Sequence, residues 1–203
     1  DVYKRQFFYF ANRFKDSKFF IAKAFGLGIL ICFPAGYLNT YVLQTFTNNN
    51  PINNALLVGF FAGGLVEELL KFFALLFYLP TQKKLKKFDI VIFALFISLG
   101  FAVYENFGYV FNPSGASFEI AFLRAFTAVP MHIFNGIIMG YFFEFYSKTG
   151  DNKFLGYTVL LPIILHGSYN FFVTENLLIA KGIILLQVFL AYRLKTMYDN
   201  NIR

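Results

Sequence analysis

The amino-acid sequence predicts an all-α, polytopic transmembrane helix bundle with about six spanning helices. Hydrophobic residues make up 58% of the 203 positions, and mean hydropathy is +0.57, beyond what a soluble core needs. The apolar residues fall in runs near the roughly 20 residues that cross a bilayer as a helix. The basic residues collect in alternate short loops between those runs. Backbone groups find no water to bond in lipid, and the period-two alternation of a barrel is missing, so the spans read as helices.

The first six residues, Asp1 to Gln6, read like a translated adapter sequence and are set aside as a non-native scar. Residues 7–203 read as one integral-membrane domain, truncated at its start, with Phe7-Phe8-Tyr9-Phe10 as the stump of an earlier helix. The expected spans are Phe19 to Gln44, Asn54 to Leu79, Phe88 to Phe111, Phe118 to Tyr146, Phe154 to Val173 and Asn176 to Leu194. Arg13, Lys15 and Lys18 precede the first; Lys83, Lys84, Lys86 and Lys87 separate the second and third. Lys148 and Lys153 separate the fourth and fifth, and Arg193, Lys195 and Arg203 follow the sixth. The other loops carry no Lys or Arg, so both ends are expected in the cytoplasm of a bacterial cell. The net charge of +7 therefore reports membrane topology, and nucleic acid is not an expected partner. Cys32, the single cysteine, lies in an apolar run, which excludes a disulfide framework.

The second span holds Gly63-Gly64-Leu65-Val66-Glu67-Glu68-Leu69-Leu70-Lys71. Each charge at that depth opposes insertion by roughly 2.5 to 3.5 kcal/mol. On a regular α-helix Lys71 projects between Glu67 and Glu68, all within about 100° of arc, so the three can share one polar pocket. Glu105 and Asn106 lie in the outer part of the third span. Arg124, Pro130, His132 and Asn135 lie on the fourth, and Pro162, His166 and Asn170 on the fifth. Both histidines of the chain thus lie at the depth of the glutamate pair. Gly59, Gly63, Gly64, Gly136 and Gly140 allow close helix approach beside them. A hydrated pocket among the second to fifth spans is expected. Glu105 has a possible structural partner in Arg124, while Glu144 and Asp89 are expected at the interfaces, Asp89 at a helix start where an anion suits the dipole.

Hydrolysis of a peptide bond in this setting needs a water, a base and donors for the developing oxyanion. Adjacent carboxylates in low dielectric oppose each other's ionisation, which suits one of Glu67 and Glu68 to proton transfer while the other, bridged by Lys71, holds the geometry. His132 is placed to orient the water, and His166 with Asn170 to donate to the oxyanion. Ser98 and Ser168 show no triad order, so water is the expected nucleophile.

Glu67-Glu68-x-x-Lys71, Phe101-x-x-x-Glu105-Asn106, Val129-Pro130-Met131-His132 and His166-x-x-x-Asn170 resemble, in order, the four motifs of the PrsW-type intramembrane peptidases, relatives of the type II CAAX prenyl endopeptidases. The resemblance runs from about Phe8 to Phe172. It implies cleavage of membrane-protein substrates, an anti-sigma factor among them, with Glu67, Glu68, Glu105, His132 and His166 at essential positions. By likeness to the CAAX relatives it favours Glu67 as the base and puts His166 and Asn170 on the oxyanion side. Lys71, Asn106 and Arg124 are expected in support. The CAAX relatives carry His where this chain has Glu105.

The leading expectation is a glutamic-type endopeptidase without a cofactor. A first alternative is a zinc enzyme with His132, His166 and the glutamates as ligands, although no HExxH signature is present. A second is a proton or ion transporter that uses the same polar layer, against which stands the lack of repeated halves. A third is a non-catalytic membrane-bound binding protein. The expected partners are a membrane-protein or peptide substrate and the bilayer itself.

Overall fold

The computed structural model describes residues 18–81, 85–111 and 118–201. The expectations placed on residues 1–6, Phe7 to Phe10, Arg13, Lys15, Lys83, Lys84, the loop 112–117 and Arg203 lie outside the described residues. Among those described, every regular element is helical: α1 (Lys18–Phe46), α2 (Pro51–Leu56), a π-helical segment (Leu57–Glu67), α3 (Glu68–Tyr78), a 3-10 turn (Leu79–Thr81), α4 (Asp89–Val110), α5 (Phe118–Phe126), α6 (Ala128–Thr149), α7 (Asn152–Glu175) and α8 (Leu177–Asn201).

Among the described residues, four helical stretches are long and apolar enough to cross a bilayer: Phe19–Phe46, Asp89–Val110, Phe118–Thr149 and Leu177–Asn200. The expected second span is helical from Pro51 to Tyr78 but changes its hydrogen-bond spacing within itself, running as a π-helix from Leu57 to Glu67 and as an α-helix from Glu68. The expected fifth corresponds to the 24-residue α7, broken in polarity by His166, Ser168 and Asn170. Large side chains such as Phe33, Phe77 and Leu178 remain open to the surroundings, which suits a lipid solvent and would be unfavourable in water.

The helices meet where small residues let them. A Cβ on Gly28 would stand 2.0 Å from the Ile97 carbonyl oxygen, and one on Gly100 would stand 2.0 Å from that of Phe25. Helices α1 and α4 therefore cross backbone to backbone. Gly136 fits against Ser98 and Gly140 against Val91, so α6 packs on the other side of α4. Gly59 and Gly64 approach Gly167, joining the π-helical segment to α7. Phe72, Leu75, Phe93, Ile97 and Met139 fill the space between α3, α4 and α6.

The expected fourth span is not one continuous helix. Pro130 lacks the N–H that would bond the carbonyl one turn earlier, and the chain breaks at Thr127, whose Oγ1 donates to Leu123 O at 3.0 Å. The break separates α5, which carries Arg124, from α6, which carries His132.

At the ends of the helices, Asp89 opens α4 and accepts from the Lys86 N–H at 2.7 Å. Asp151 caps α7 through the Lys153 N–H, and the Lys153 side chain bonded to it holds its carboxyl below the usual range. Glu144, near the end of α6, is buried, accepts from the Tyr198 hydroxyl and pairs with Lys148. This ties α8 to α6.

Candidate active site

Glu67 is the last residue of the π-helical segment and Glu68 the first of α3. π-Helical turns alter the phase of a helix and recur at functional sites. The change of phase turns the two neighbouring carboxylates to different partners. Glu68, fully buried, accepts from Lys71 Nζ at 2.8 Å and lies 2.7 Å from His166 Nδ1, both through Oε1. Glu67 accepts from Asn39 Nδ2 at 3.1 Å through Oε1. Lys71 thus bridges Glu68 to another residue.

That other residue is His132. Lys71 Nζ stands 2.8 Å from His132 Nδ1 and 4.4 Å above the Phe101 ring. An ammonium only donates, so Nδ1 accepts and the ring proton sits on Nε2. Nε2 lies 3.0 Å from Glu105 Oε2, and Arg124 Nη2 holds the other Glu105 oxygen at 2.8 Å. Arg124 in turn stacks on Tyr109, 3.8 Å from the ring centre. An unbroken polar chain runs Arg124, Glu105, His132, Lys71, Glu68, His166 across α5, α4, α6, α3 and α7.

The same reasoning assigns His166. An ionised carboxylate only accepts, so the proton of His166 sits on Nδ1 facing Glu68. Its Nε2 is left with a lone pair directed to Glu67 Oε2, 3.9 Å away. Glu67 Oε2 is buried and has no hydrogen-bond partner among the described residues. With Glu67 ionised, two buried acceptors face each other, and no described donor lies between them. The His132 and His166 rings lie edge to face at 4.7 Å, and one ligand atom each from Glu67, His132 and His166 lie within 4.8 Å of one another. All three residues are buried.

A cation fits this arrangement. Ligands around a tetrahedral zinc ion stand about 3.3 Å apart at bond lengths near 2.0 Å, so Glu67 and His166 need only a small inward movement, whereas His132 would release Lys71 or Glu105 to join them. The donor set of two imidazoles and one carboxylate is that of known catalytic zinc sites. The expectation of a site without a cofactor gives way here to a buried group able to hold a metal ion.

Asn170 lies beside this group: its Nδ2 occupies the space that a Gly63 Cβ would fill, 2.2 Å from it, with His166 Nε2 3.4 Å from the same point. Gly63 is thus required for close approach of Asn170 and His166. Asn106 does not join the cluster; it turns to α5 and donates to Ala121 O at 3.0 Å. Asn135 lies deeper and donates to Pro162 O at 3.1 Å while accepting from Gln187 Nε2 at 2.7 Å. Gln187, a lone amide in the last apolar run, was not singled out from the sequence.

A cavity of about 550 Å³ is lined by Ala35, Gly36 and Asn39 of α1, by Glu67, and by Phe101, Glu105 and Gly108 of α4. This opening lies between α1 and the second and third spans, while the buried Glu67, His132 and His166 group lies among the second, fourth and fifth. The opening follows from the α1–α4 crossing at Gly28 and Gly100, beyond which the two helices leave room between them. Glu67 and Glu105 are the acidic residues on its wall.

Comparison with known proteins agrees with this geometry. The family described as "PrsW family intramembrane metalloprotease" matches residues 17–194. The chain is 32% identical to Protease PrsW of Oceanobacillus iheyensis, over 97% of this chain and 91% of that protein. It is 31% identical to Protease PrsW of Bacillus subtilis, over 83% and 76%, and 33% identical to that of Clostridioides difficile, over 76% and 65%. No solved structure matches. With a family match across most of its length, and with buried acids and imidazoles drawn together from five helices, the chain belongs to the PrsW family of intramembrane proteases.

Proposed function

We propose that the protein is a metal-dependent intramembrane endopeptidase in which Glu67, His132 and His166 hold a zinc-type ion. The observation that carries this reading is the pair of facing acceptors, Glu67 Oε2 and His166 Nε2, buried 3.9 Å apart. Such an ion supplies Lewis-acid activation of water and carbonyl. Glu68 fixes the His166 tautomer, the outer partner a metal-ligating imidazole usually has. His132 exchanges one of its present partners, Lys71 or Glu105, for the metal. Glu105, on the cavity wall with Arg124 on its other oxygen, is placed to take the proton of the attacking water. Asn170 is placed to donate to the developing oxyanion.

The substrate in this reading is a membrane protein whose scissile segment reaches Glu67 through the cavity beside α1. The family resemblance makes an anti-sigma factor one such substrate. The domain is taken as residues 7–203, crossing the cytoplasmic membrane six times with both described ends on the cytoplasmic side, as the distribution of Lys and Arg supports.

A second reading keeps Glu67 as a metal-free general base for water. It is favoured by His132, both of whose ring nitrogens already have partners within 3.0 Å. Cleavage of a co-expressed single-span reporter substrate tests the site in both readings: Glu67→Gln, His132→Ala and His166→Ala are each expected to abolish it while the protein still inserts. Full cleavage by Glu67→Gln or His166→Ala would overturn both readings. Loss of cleavage on chelation, with return on adding zinc, selects the first.

A further inference from the structure

Helix α1 looks at first like a lipid-facing element. Only 17% of its most apolar window is buried, and the sequence gives it no Asp, Glu, Lys, Arg or His at the depth of the site. Yet the one hydrogen bond that the Glu67 carboxylate receives among the described residues comes from it, from Asn39 Nδ2 at 3.1 Å.

The bond is specific in direction. Asn39 Oδ1 is buried without a partner, so rotating the amide would set that oxygen against the carboxylate and gain nothing. The donor therefore faces Glu67, and it engages Oε1 alone. Oε2 is left as the oxygen that faces His166. Among the described residues no other group donates a hydrogen bond to this carboxylate.

We propose that Asn39 is a positioning residue: by holding Oε1 of Glu67 it presents Oε2 to the metal, so that α1 contributes to the site without touching the reacting atoms. The inference rests on the metal-dependent reading above. It also explains why the cavity and the metal-binding group meet at Glu67, the residue common to both.

The test is cobalt(II) binding to the purified full chain, followed by its visible absorption, with zinc competition giving the affinity. Asn39→Leu keeps the size of the side chain and removes the donor; it is expected to weaken binding by about 10- to 100-fold, the usual effect of losing an outer partner of a metal ligand. Asn39→Gln retains an amide donor and is expected to recover part of that loss. Tyr41→Phe, on an exposed face of α1, is expected to bind as wild type. The unfolding midpoint in detergent should match wild type in all three. If wild type binds cobalt and Asn39→Leu binds it equally, or loses affinity only in step with a fallen midpoint, the role of Asn39 is overturned. If wild type itself binds neither metal, the metal-dependent reading fails, and the proposal with it.

Discussion

His166 directs Nδ1 onto Glu68 Oε1 at 2.7 Å, and this leaves its Nε2 aimed at Glu67. Neighbours in sequence thus act on opposite edges of one imidazole. Glu68→Gln is expected to lower zinc affinity about 10- to 100-fold, since a neutral amide oxygen holds the His166 Nδ1–H more weakly than the carboxylate that sets the tautomer. Isothermal titration of the purified variant measures this, and cleavage should fall with it.

Lys71 is fully buried with Glu68. Removing one partner of a buried ion pair leaves an uncompensated charge and costs about 3 to 5 kcal/mol. Lys71→Met is therefore expected to lower the unfolding free energy by that amount in a denaturation series. The double variant Glu68→Gln with Lys71→Met should regain much of it, because the pair is coupled.

These two relationships were only partly legible in the sequence. Glu67, Glu68, Lys71, Glu105, His132 and His166 stand out because ionisable groups are costly in apolar spans. Their meeting at one depth followed from their positions along successive helices. Which carboxylate faces which partner did not follow, because a regular 3.6-residue period cannot show the π-helical phase before Glu68. Pro130 marked a disturbance in the fourth span, but the sequence did not show that the break would leave Arg124 on a separate helix against Glu105. Asn39 passed unnoticed because a single neutral amide in the outer half of a span resembles ordinary interfacial polarity. Gly28 and Gly100 were missed for a related reason: the close approach they permit depends on which helices cross, which spacing within one helix does not reveal.

The α1–α4 crossing gives a separate expectation. Gly28→Ala or Gly100→Ala puts a Cβ within 2.0 Å of a backbone oxygen, and overpacking of this kind costs about 1 to 3 kcal/mol. Gly26→Ala meets nothing within 4 Å and should be neutral or stabilising by up to about 1 kcal/mol. Thermal unfolding in one detergent compares the three.

Gly36 and Gly108 face open space within the cavity. Gly36→Leu and Gly108→Leu are expected to narrow the approach to Glu67 and cut reporter cleavage at least about tenfold, a loss of roughly 1.4 kcal/mol in transition-state access. Zinc affinity and unfolding midpoint should stay at wild-type values. Undiminished cleavage in both would place the substrate path elsewhere.

The central claim is that Glu67, His132 and His166 together hold a catalytic metal. Zinc-edge X-ray absorption on active, purified protein tests it most directly. The expected spectrum shows two imidazoles with oxygen neighbours at about 2.0 to 2.2 Å and no sulfur, and one imidazole fewer in His166→Ala. Fully active protein with no bound metal, or a shell unchanged in His166→Ala, would contradict it.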